Sequence, residues 1–588
     1  MRASIYEPLV SGVSSDRSHL IYWTRISIWS DQGNLPPLGS ELVAQERQIS
    51  IVFDIHYSVS ASQSIRRFAR ATALLCSLCC LLSAALDAPA QQAALPQANA
   101  PTLTVTARIV ELDVVVTNKK NQIVPGLTAK DFNVFEDGKR QAIRYFEGVS
   151  GHALPAGVVI HSTADLARAP GAPVTLLVLD ELNTRYEDMS FARYDLKKYL
   201  DAQPAMLTQP TELLVVSNSR FQVLCDFTMD RQSLLTALDK HFPEYPWRLM
   251  RSGKGGPGAA ERLAMSLESL EQIAQSTAGH PGRKSILWVG TGFPAINTNE
   301  STNAQAAVIQ QAIQHVIGMM RDSRITLDII DPTITSAGTV LIQTPDDLDA
   351  AEDQNGEDPF EGDVNFQLLA PATGGSLYAT RNDIDAEIAE SIRDGNNFYT
   401  LSYSPKDDGS DKGLYRRIHV QVNLPGLTAT TRNGYYVDSV APPPPTTPAT
   451  LNLDLKKMAA DLGAAANGNL AYTGLAVSAH ALSDAPDKQG VVHLAVTVAT
   501  QGLDFSLLPD GGSKAEVTVL VAGFDRKNRM IGHTIQEMTA HVPPGDSAAQ
   551  AATFQLPVEI MPHTTRLRVV VRDAVSGRMG TADIQPAP

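Results

Sequence analysis

An apolar run that ends in an aspartate places the strongest constraint on how this chain can fold. Residues 174–179 read VTLLVL, without the alternation expected of a half-exposed strand. Such a run is typical of a strand that helices cover on both faces of a sheet. Asp180 is the first residue able to project beyond the sheet, at the carboxyl end of the strand, where open α/β sheets bind ligands.

The following segment alternates between helical and strand patterns, which favours a parallel sheet with helices on both faces. We therefore predict a doubly wound α/β domain at residues 172–395. Its helices are expected at residues 190–200, 230–240, 260–277, 305–322 and 384–393, and its later strands at 212–217, 221–227, 285–289, 325–330 and 376–379.

Two segments that flank this domain have the period-two pattern of half-buried strands. In the first, apolar residues at 110, 112, 114 and 116 precede Asp137-Gly138, a strong hairpin-turn signal. The pattern returns at 397–404 and 417–422. We predict that residues 102–150 and 396–438 form one β-sandwich of immunoglobulin-like type into which the α/β domain is inserted.

The last part of the chain predicts a second β domain. A proline-rich stretch at 441–449 is typical of a stiff linker. Beyond it, period-two apolar positions separated by turn residues predict a C-terminal β-sandwich of immunoglobulin-like type at 455–586.

The N-terminal region carries the pattern of a secretory signal. Arginines at 66, 67 and 70 precede an apolar run at 71–86, and the cleavage pattern A-P-A follows at 88–90. The run is shorter than the roughly 20 residues needed to span a bilayer. We predict a signal peptide at 64–90, an over-extended or disordered segment at 1–63, no permanent transmembrane anchor, and export to the periplasm or the extracellular space.

Several motifs resemble those of a known family. GLTAKDF at 126–132 and EDG at 136–138 resemble the leader of the secreted "VWFA-related" proteins abundant in acidobacteria, and the resemblance continues through YTLSYSP at 399–405 and RNGYY at 432–436. It covers most of residues 102–437 and implies a von Willebrand factor A (vWA) domain. In that family, D-x-S-x-S after the first strand holds a Mg²⁺ ion whose open position accepts an acidic residue of a partner protein.

The metal-site pattern of the family is incomplete in this sequence. The aligned residues are Asp180, Leu182 and Thr184, so one hydroxyl is absent. Thr291, in Gly290-Thr291-Gly292, stands where the family has an aspartate. Cations at 248, 251 and 254 fill the loop expected to supply another ligand, and their charge opposes a divalent ion. The resemblance therefore implies a degenerate metal-ion-dependent adhesion site.

We predict that a protein ligand contacts Asp180, Asn183, Thr184 and Thr291. Two interpretations of the metal site stay open. In one, Asp180 and Thr184 bind Mg²⁺ weakly with help from Asp188. In the other, no metal binds, and Asp180 and Asn183 cap the first helix and satisfy loop amides.

Charge and motifs limit the classes of function that this sequence suggests. A net charge of −15 argues against a nucleic-acid surface, which needs clustered Lys and Arg. The sequence has no G-x-S-x-G, H-E-x-x-H or P-loop motif, and we predict no catalytic residues. We expect an exported, non-enzymatic protein-binding module of the adhesion type. The alternative is a cell-envelope structural or assembly factor in which the vWA site is inert and the β-sandwiches mediate contacts.

Overall fold

The computed structural model describes residues 109–218, 221–243, 258–293, 296–297, 302–333, 363–379, 383–405, 414–437, 448–482, 490–545 and 550–585. Over these residues the protein is a mixed α/β molecule with several sheets. The predicted signal peptide at 64–90, the segment 1–63 and the cations at 248, 251 and 254 lie outside the described residues. Within the described ranges, no helix is long and apolar enough to cross a membrane.

The first described part of the chain has four strands that follow the predicted β pattern. They are β1 (Val110–Asn118), β2 (Phe132–Glu136), β3 (Lys139–Gln141) and β4 (Ile143–Glu147). Asp137 and Gly138 join β2 to β3 with φ angles of 45° and 72°. Positive φ at both central residues of a two-residue loop is the signature of a type I′ turn, so the predicted hairpin is confirmed.

The central part of the chain alternates between strands and helices. Its strands are β5 (Val174–Asp180), β6 (Met206–Val216), β7 (Phe221–Asp230), β8 (Lys284–Val289), β9 (Ile296–Asn297), β10 (Ile325–Ile330), β11 (Asp363–Val364) and β12 (Leu377–Tyr378). Its helices are α1 (Tyr186–Ala202), α2 (Arg231–Lys240), α3 (Gly258–Thr277), α4 (Asn303–Asp322), α5 (Leu369–Thr373) and α6 (Ile384–Asn396).

Six of these strands form one mixed sheet in the order β7-β6-β5-β8-β10-β12. All neighbours are parallel except β6 and β7, which are antiparallel. If these six strands are numbered by their order along the chain, their order in the sheet is 3-2-1-4-5-6, which is the strand order of doubly wound folds. The predicted parallel strands and antiparallel edge strand are confirmed.

Helices cover both faces of this sheet, which explains the unbroken apolar run of β5. Leu176 and Val178 pack into a core with residues of α3 and α4. Leu177 and Leu179 point to the other face and pack with residues of α1, α2 and α6. Because successive strand side chains alternate between faces, both sets must be apolar.

After α6 the chain returns to the strands where it began. The returning strands are β13 (Tyr399–Tyr403), β14 (Tyr415–Val422), β15 (Leu427–Thr430) and β16 (Gly434–Tyr436). They complete two four-stranded sheets, β15-β1-β13-β4 and β16-β14-β2-β3. Apolar residues of both sheets form one buried cluster, so the sheets pack face to face, and we call this unit the first sandwich. The predicted domain boundaries and its immunoglobulin-like type stay predictions.

The C-terminal part starts with a helix that the sequence analysis missed. Helix α7 spans Pro448–Asn467, where the prediction had the end of the linker and the start of a β domain. The stretch MAADLGAAA at 458–466 is rich in alanine, the strongest helix former, which explains the helix. Residues 441–447 of the predicted linker lie outside the described residues.

Among the described residues after α7 there are eight strands. They are β17 (Val477–Ala481), β18 (Val491–Ala499), β19 (Ser506–Leu507), β20 (Ser513–Phe524), β21 (Met530–Val542), β22 (Ala551–Glu559), β23 (Arg566–Asp573) and β24 (Met579–Ile584). They form a three-stranded sheet, β17-β18-β22, and a five-stranded sheet built on β20. The two sheets share one apolar cluster, and we call this unit the second sandwich.

The second sandwich is fixed to the central sheet through α7 and the turn after it. Buried Arg568 of β23 donates hydrogen bonds to the carbonyls of Ala465, at 2.9 Å, and Leu470. A cation near a helix C-terminus is favourable because the last carbonyls lack partners within the helix. The Asn469 amide accepts from Val223 N–H at 3.2 Å and donates to Val223 carbonyl at 2.9 Å. This pair of bonds occupies part of the open edge of β7.

Candidate functional site

Asp180 lies where the strand order of the mixed sheet reverses. Strand β6, next along the chain, lies on one side of β5, and β8 lies on the other. Loops leaving β5 and β8 therefore diverge at the carboxyl edge, which is where ligands bind in open α/β sheets. The turn between β5 and α1 and the loop after β8 meet here through hydrogen bonds from both to Asp180.

The Asp180 carboxylate accepts hydrogen bonds from the surrounding backbone and side chains. Its Oδ1 accepts from the backbone N–H groups of Leu182 at 3.2 Å and Asn183 at 3.0 Å. Its Oδ2 accepts from the Trp288 indole N–H at 3.1 Å and from Gly292 N–H at 2.9 Å. The Asn183 amide Nδ2 donates to both oxygens, at 3.2 and 3.3 Å. Asp180 thus connects the β5–α1 turn, strand β8 and the loop after β8.

The other predicted ligand residues complete the same network. Thr291 N–H donates to Thr184 Oγ1 at 3.1 Å, and the Thr291 hydroxyl donates to the Asn183 carbonyl at 3.2 Å. Asn183 Nδ2 also donates to Ser266 Oγ of α3 at 3.1 Å. The structure therefore brings Asp180, Asn183, Thr184 and Thr291 together, as predicted, but holds them by bonds to one another.

Glycines on either side of Thr291 allow the close approach of the two loops. A Cβ atom on Gly290 would lie 2.5 Å from both Asp180 Cβ and Thr184 Oγ1, and the φ of Gly290 is +150°. Gly292 has φ +65° and lies against the ring of Phe366, so a Cβ there would overlap the ring. The two glycines of G-T-G thus allow the loop to pack closely around Asp180. The threonine between them stands where the family has an aspartate.

Burial decides what these residues can contact. Asp180 is fully buried, Thr184 is 1% exposed and Asn183 is 8% exposed. Burial raises the pKa of Asp180, and hydrogen bonds from Trp288, Asn183 and Gly292 oppose that rise. Both oxygens of Asp180 are thus enclosed and hydrogen-bonded within the fold, and the expected contact of Asp180 with a partner stays a prediction.

The acidic neighbours of Asp180 serve other contacts. Glu181 is 1% exposed and its Oε1 lies 2.7 Å from Nε2 of His241. Asp188 lies in the first turn of α1, with Oδ2 3.4 Å from Arg185 Nε. Burial raises the pKa of Asp188, and Arg185 opposes that rise.

The residues present do not fit the predicted Mg²⁺ site. Mg²⁺ requires oxygen ligands at near-ideal octahedral positions, whereas both Asp180 oxygens already accept N–H donors. Thr184 Oγ1 accepts from Thr291 N–H, and Asp188 faces Arg185. Asn183 Oδ1 is buried with no hydrogen-bond partner among the described residues, but one oxygen does not make a cation site. In the described part of the chain, no three acidic, histidine or cysteine side chains converge to hold a metal.

An exposed rim surrounds the buried network. Arg185 and Glu187 are exposed, and Tyr186 is 39% exposed. Thr291 is half-buried and is the predicted ligand residue with the most accessible surface. Arg185, Tyr186 and Glu187 come directly after the β5–α1 turn, and Thr291 lies in the loop after β8. Asp180 is hydrogen-bonded to both segments. Sequence patterns identified Thr291 but gave no signal for Arg185, Tyr186 and Glu187, since exposed residues show no periodic constraint.

No family model and no curated protein matches this sequence. Proximal thread matrix protein 1 from the mussel byssus is 10% identical, covering 38% of this chain and 48% of that protein, with a TM-score of 0.23. This chain thus spans about half the length of the mussel protein. The SpRpn10 VWA domain is 15% identical, covering 28% of this chain and 90% of that domain, with a TM-score of 0.16. Northeast Structural Genomics Consortium target SoR45 is 13% identical over 19% of this chain and 81% of its own, with a TM-score of 0.11.

Proposed function

We propose that this protein is an exported, non-enzymatic protein-binding module of the adhesion type. Its binding face is the rim formed by Arg185, Tyr186, Glu187 and Thr291, at the carboxyl edge of the mixed sheet. The domain that carries this face is of the vWA type, with a degenerate metal-ion-dependent adhesion site that works without a metal. The ligand is a protein.

The network around Asp180 is the observation that carries the proposal. Its carboxylate joins the β5–α1 turn to the loop after β8 by hydrogen bonds at 2.9–3.3 Å. Loops held in one arrangement before binding lose less conformational entropy on binding. Asp180 therefore does by hydrogen bonding what a metal ion would otherwise do, namely fix the two loops relative to each other.

The chemistry of the rim fits a protein surface. Tyrosine and arginine are enriched at protein interfaces, because both offer a large apolar body together with hydrogen-bonding groups. Arg185 is 74% exposed in its side chain, and its partner Asp188 lies only 3.4 Å away. A carboxylate of the bound protein can replace Asp188 as the neighbour of Arg185 at little cost, since ion pairs with an exposed member contribute about 0–1 kcal/mol.

A pair of matched variants tests the proposal. The full chain, wild type or carrying Tyr186→Ala, is used to capture proteins from envelope and culture fractions, and each captured protein is then titrated by calorimetry. Tyr194 lies on the same helix and is 67% exposed, so Tyr194→Ala is the control. We expect Tyr186→Ala to weaken binding about tenfold or more, the usual effect of a central aromatic contact, and Tyr194→Ala to leave it unchanged. Equal binding by all three proteins would remove the rim from the interface.

A second candidate function is favoured by the burial of the predicted ligand residues. Asp180, Asn183 and Thr184 are at most 8% exposed, and each is engaged within the fold. If the rim binds nothing, the site is inert and the protein is a cell-envelope structural or assembly factor whose sandwiches make the contacts. In that case a captured partner would be retained by the Tyr186→Ala variant and released by substitutions on the sandwich surfaces.

A further inference from the structure

A polar cavity of about 320 Å³ lies where the edge of the mixed sheet meets the first sandwich. Strands β10 and β12 and helix α6 form one side, and β1 and β15 form the other. None of its lining residues belongs to the Asp180 network. The charged and phenolic groups on its wall are Arg283, Asp328, Tyr378, Glu387, Glu390 and Asp394.

Carboxylates dominate the wall of the cavity. Asp328 is 5% exposed and accepts from Ser376 N–H and the Ser391 hydroxyl, each at 2.7 Å. Glu387 is 1% exposed, and Glu390 accepts from the side chain of Asn121. With Asp394, whose Oδ1 lies 2.7 Å from Arg393 Nη2, four acidic residues line one volume. An electronegative cavity of this kind attracts a cationic group.

Arg283 is a second feature that points to a ligand. Its side chain is 3% exposed, and its Nε and Nη1 atoms have no hydrogen-bond partner among the residues that the structure describes. The guanidinium carbon lies 4.9 Å from the centre of the Phe398 ring, which supplies a cation–π contact but no acceptor. A buried donor without an acceptor costs about 1–3 kcal/mol, and more when it is charged. The wall of the cavity therefore has the Arg283 guanidinium as a donor at one place and the carboxylates as acceptors elsewhere.

We propose that this cavity binds a small zwitterion of amino-acid size. The carboxylate of the ligand accepts hydrogen bonds from Arg283, and its ammonium group donates to the acidic wall. A simple anion is disfavoured because four carboxylates surround the space, and a simple cation leaves Arg283 without an acceptor. A divalent metal is disfavoured because the described residues contain no converging set of three ligands. The volume falls at the lower end of the range of small-molecule sites.

Calorimetry with the full chain tests this site. The probes are the common amino acids, putrescine as an amine without a carboxylate, and succinate as a carboxylate without an amine. We expect at least one amino acid to bind roughly tenfold or more tightly than both of these compounds, because each lacks one of the two charge-assisted interactions. Binding of putrescine as tight as that of the best amino acid, or binding of no probe at all, would overturn the proposal.

Two variants locate the binding. Arg283→Lys removes the planar donor set, and Glu390→Gln removes one half-buried acceptor charge while keeping its size. We expect each to weaken amino-acid binding about tenfold. Glu559→Gln, an exposed change on β22 in the second sandwich, is the control and leaves the affinity unchanged. Circular dichroism spectra identify any variant that fails to fold, and Glu390→Gln, the milder change, decides the question if Arg283→Lys does fail. Unchanged affinity in a folded Glu390→Gln protein would contradict the assignment.

Discussion

Removing the Asp180 carboxylate tests whether hydrogen bonds hold the two loops. Asp180→Ala leaves the N–H groups of Leu182, Asn183, Trp288 and Gly292 without their acceptor in a buried site. Each unsatisfied donor costs about 1–3 kcal/mol, but water entry and relaxation make the costs less than additive. We expect a loss of about 3–5 kcal/mol in the free energy of unfolding, at the upper end for single substitutions.

The isosteric variant Asp180→Asn separates hydrogen bonding from shape. One oxygen is retained and can still accept from Leu182 and Asn183. The new NH₂ group faces the N–H donors of Trp288 and Gly292, which gives two donor–donor conflicts. We expect a loss of about 2–4 kcal/mol.

Denaturation of the full chain in urea, followed by tryptophan fluorescence, measures these losses. Because a multidomain chain need not unfold in one step, amide hydrogen exchange in residues 181–186 and 290–293 gives the local measurement. Asp188→Asn, in the first turn of α1, is the control and should stay within about 0.5 kcal/mol. If Asp180→Asn leaves stability and exchange unchanged while EDTA destabilises the wild-type protein, the hydrogen-bond account is wrong and a metal holds the loops.

The remaining predictions concern the glycine contact, the junction with the first sandwich, a buried carboxyl group and export. Gly290→Ala should cost about 2–4 kcal/mol in urea denaturation, because its Cβ would lie 2.5 Å from Asp180 Cβ, whereas Gly171→Ala, in open space, should cost little. Arg324→Ala removes the 2.6 Å ion pair with Asp113 and should cost about 3 kcal/mol, part of which the double variant with Asp113→Asn recovers. Burial raises the pKa of Asp328 from 3.8 to about 6, so the folded state holds this proton more tightly than the unfolded chain. Stability should therefore fall by about 3 kcal/mol as pH rises from about 4 to about 6, and Asp328→Asn should flatten the profile of unfolding free energy against pH. N-terminal sequencing of the natural protein should start near Gln91, and intact residues 1–60 would contradict export.

Local patterns in the sequence predict much of the α/β part because one physical rule governs each element. Residues 174–179 are apolar apart from Thr175, as burial on both faces of the sheet requires, and the structure buries every one of them. The prediction of strand 325–330 matches β10. The site residues after β5 were also identifiable, since the carboxyl edge of a sheet is where polar side chains can project.

Contacts between distant residues could not be predicted in the same way. The Trp288 indole reaches Asp180 across 108 positions of sequence, and no periodic pattern records that contact. Asn469 is hydrogen-bonded to Val223, 246 positions away in the sequence, so the contact that covers part of the β7 edge could not be predicted either. The contact with Trp288 helps to enclose Asp180, and no pattern in the sequence indicated that this carboxylate would be enclosed in this way.

The claim that a metal-independent rim binds a protein is tested most directly by one affinity measurement. A captured partner is titrated into the wild-type full chain by calorimetry in Mg²⁺ and again in EDTA, and into the Tyr186→Ala and Tyr194→Ala proteins under both conditions. We predict the same affinity with and without Mg²⁺, an affinity about tenfold or more weaker for Tyr186→Ala alone, and no effect of Tyr194→Ala. Complete loss of wild-type binding in EDTA, or full binding by Tyr186→Ala, would contradict the account.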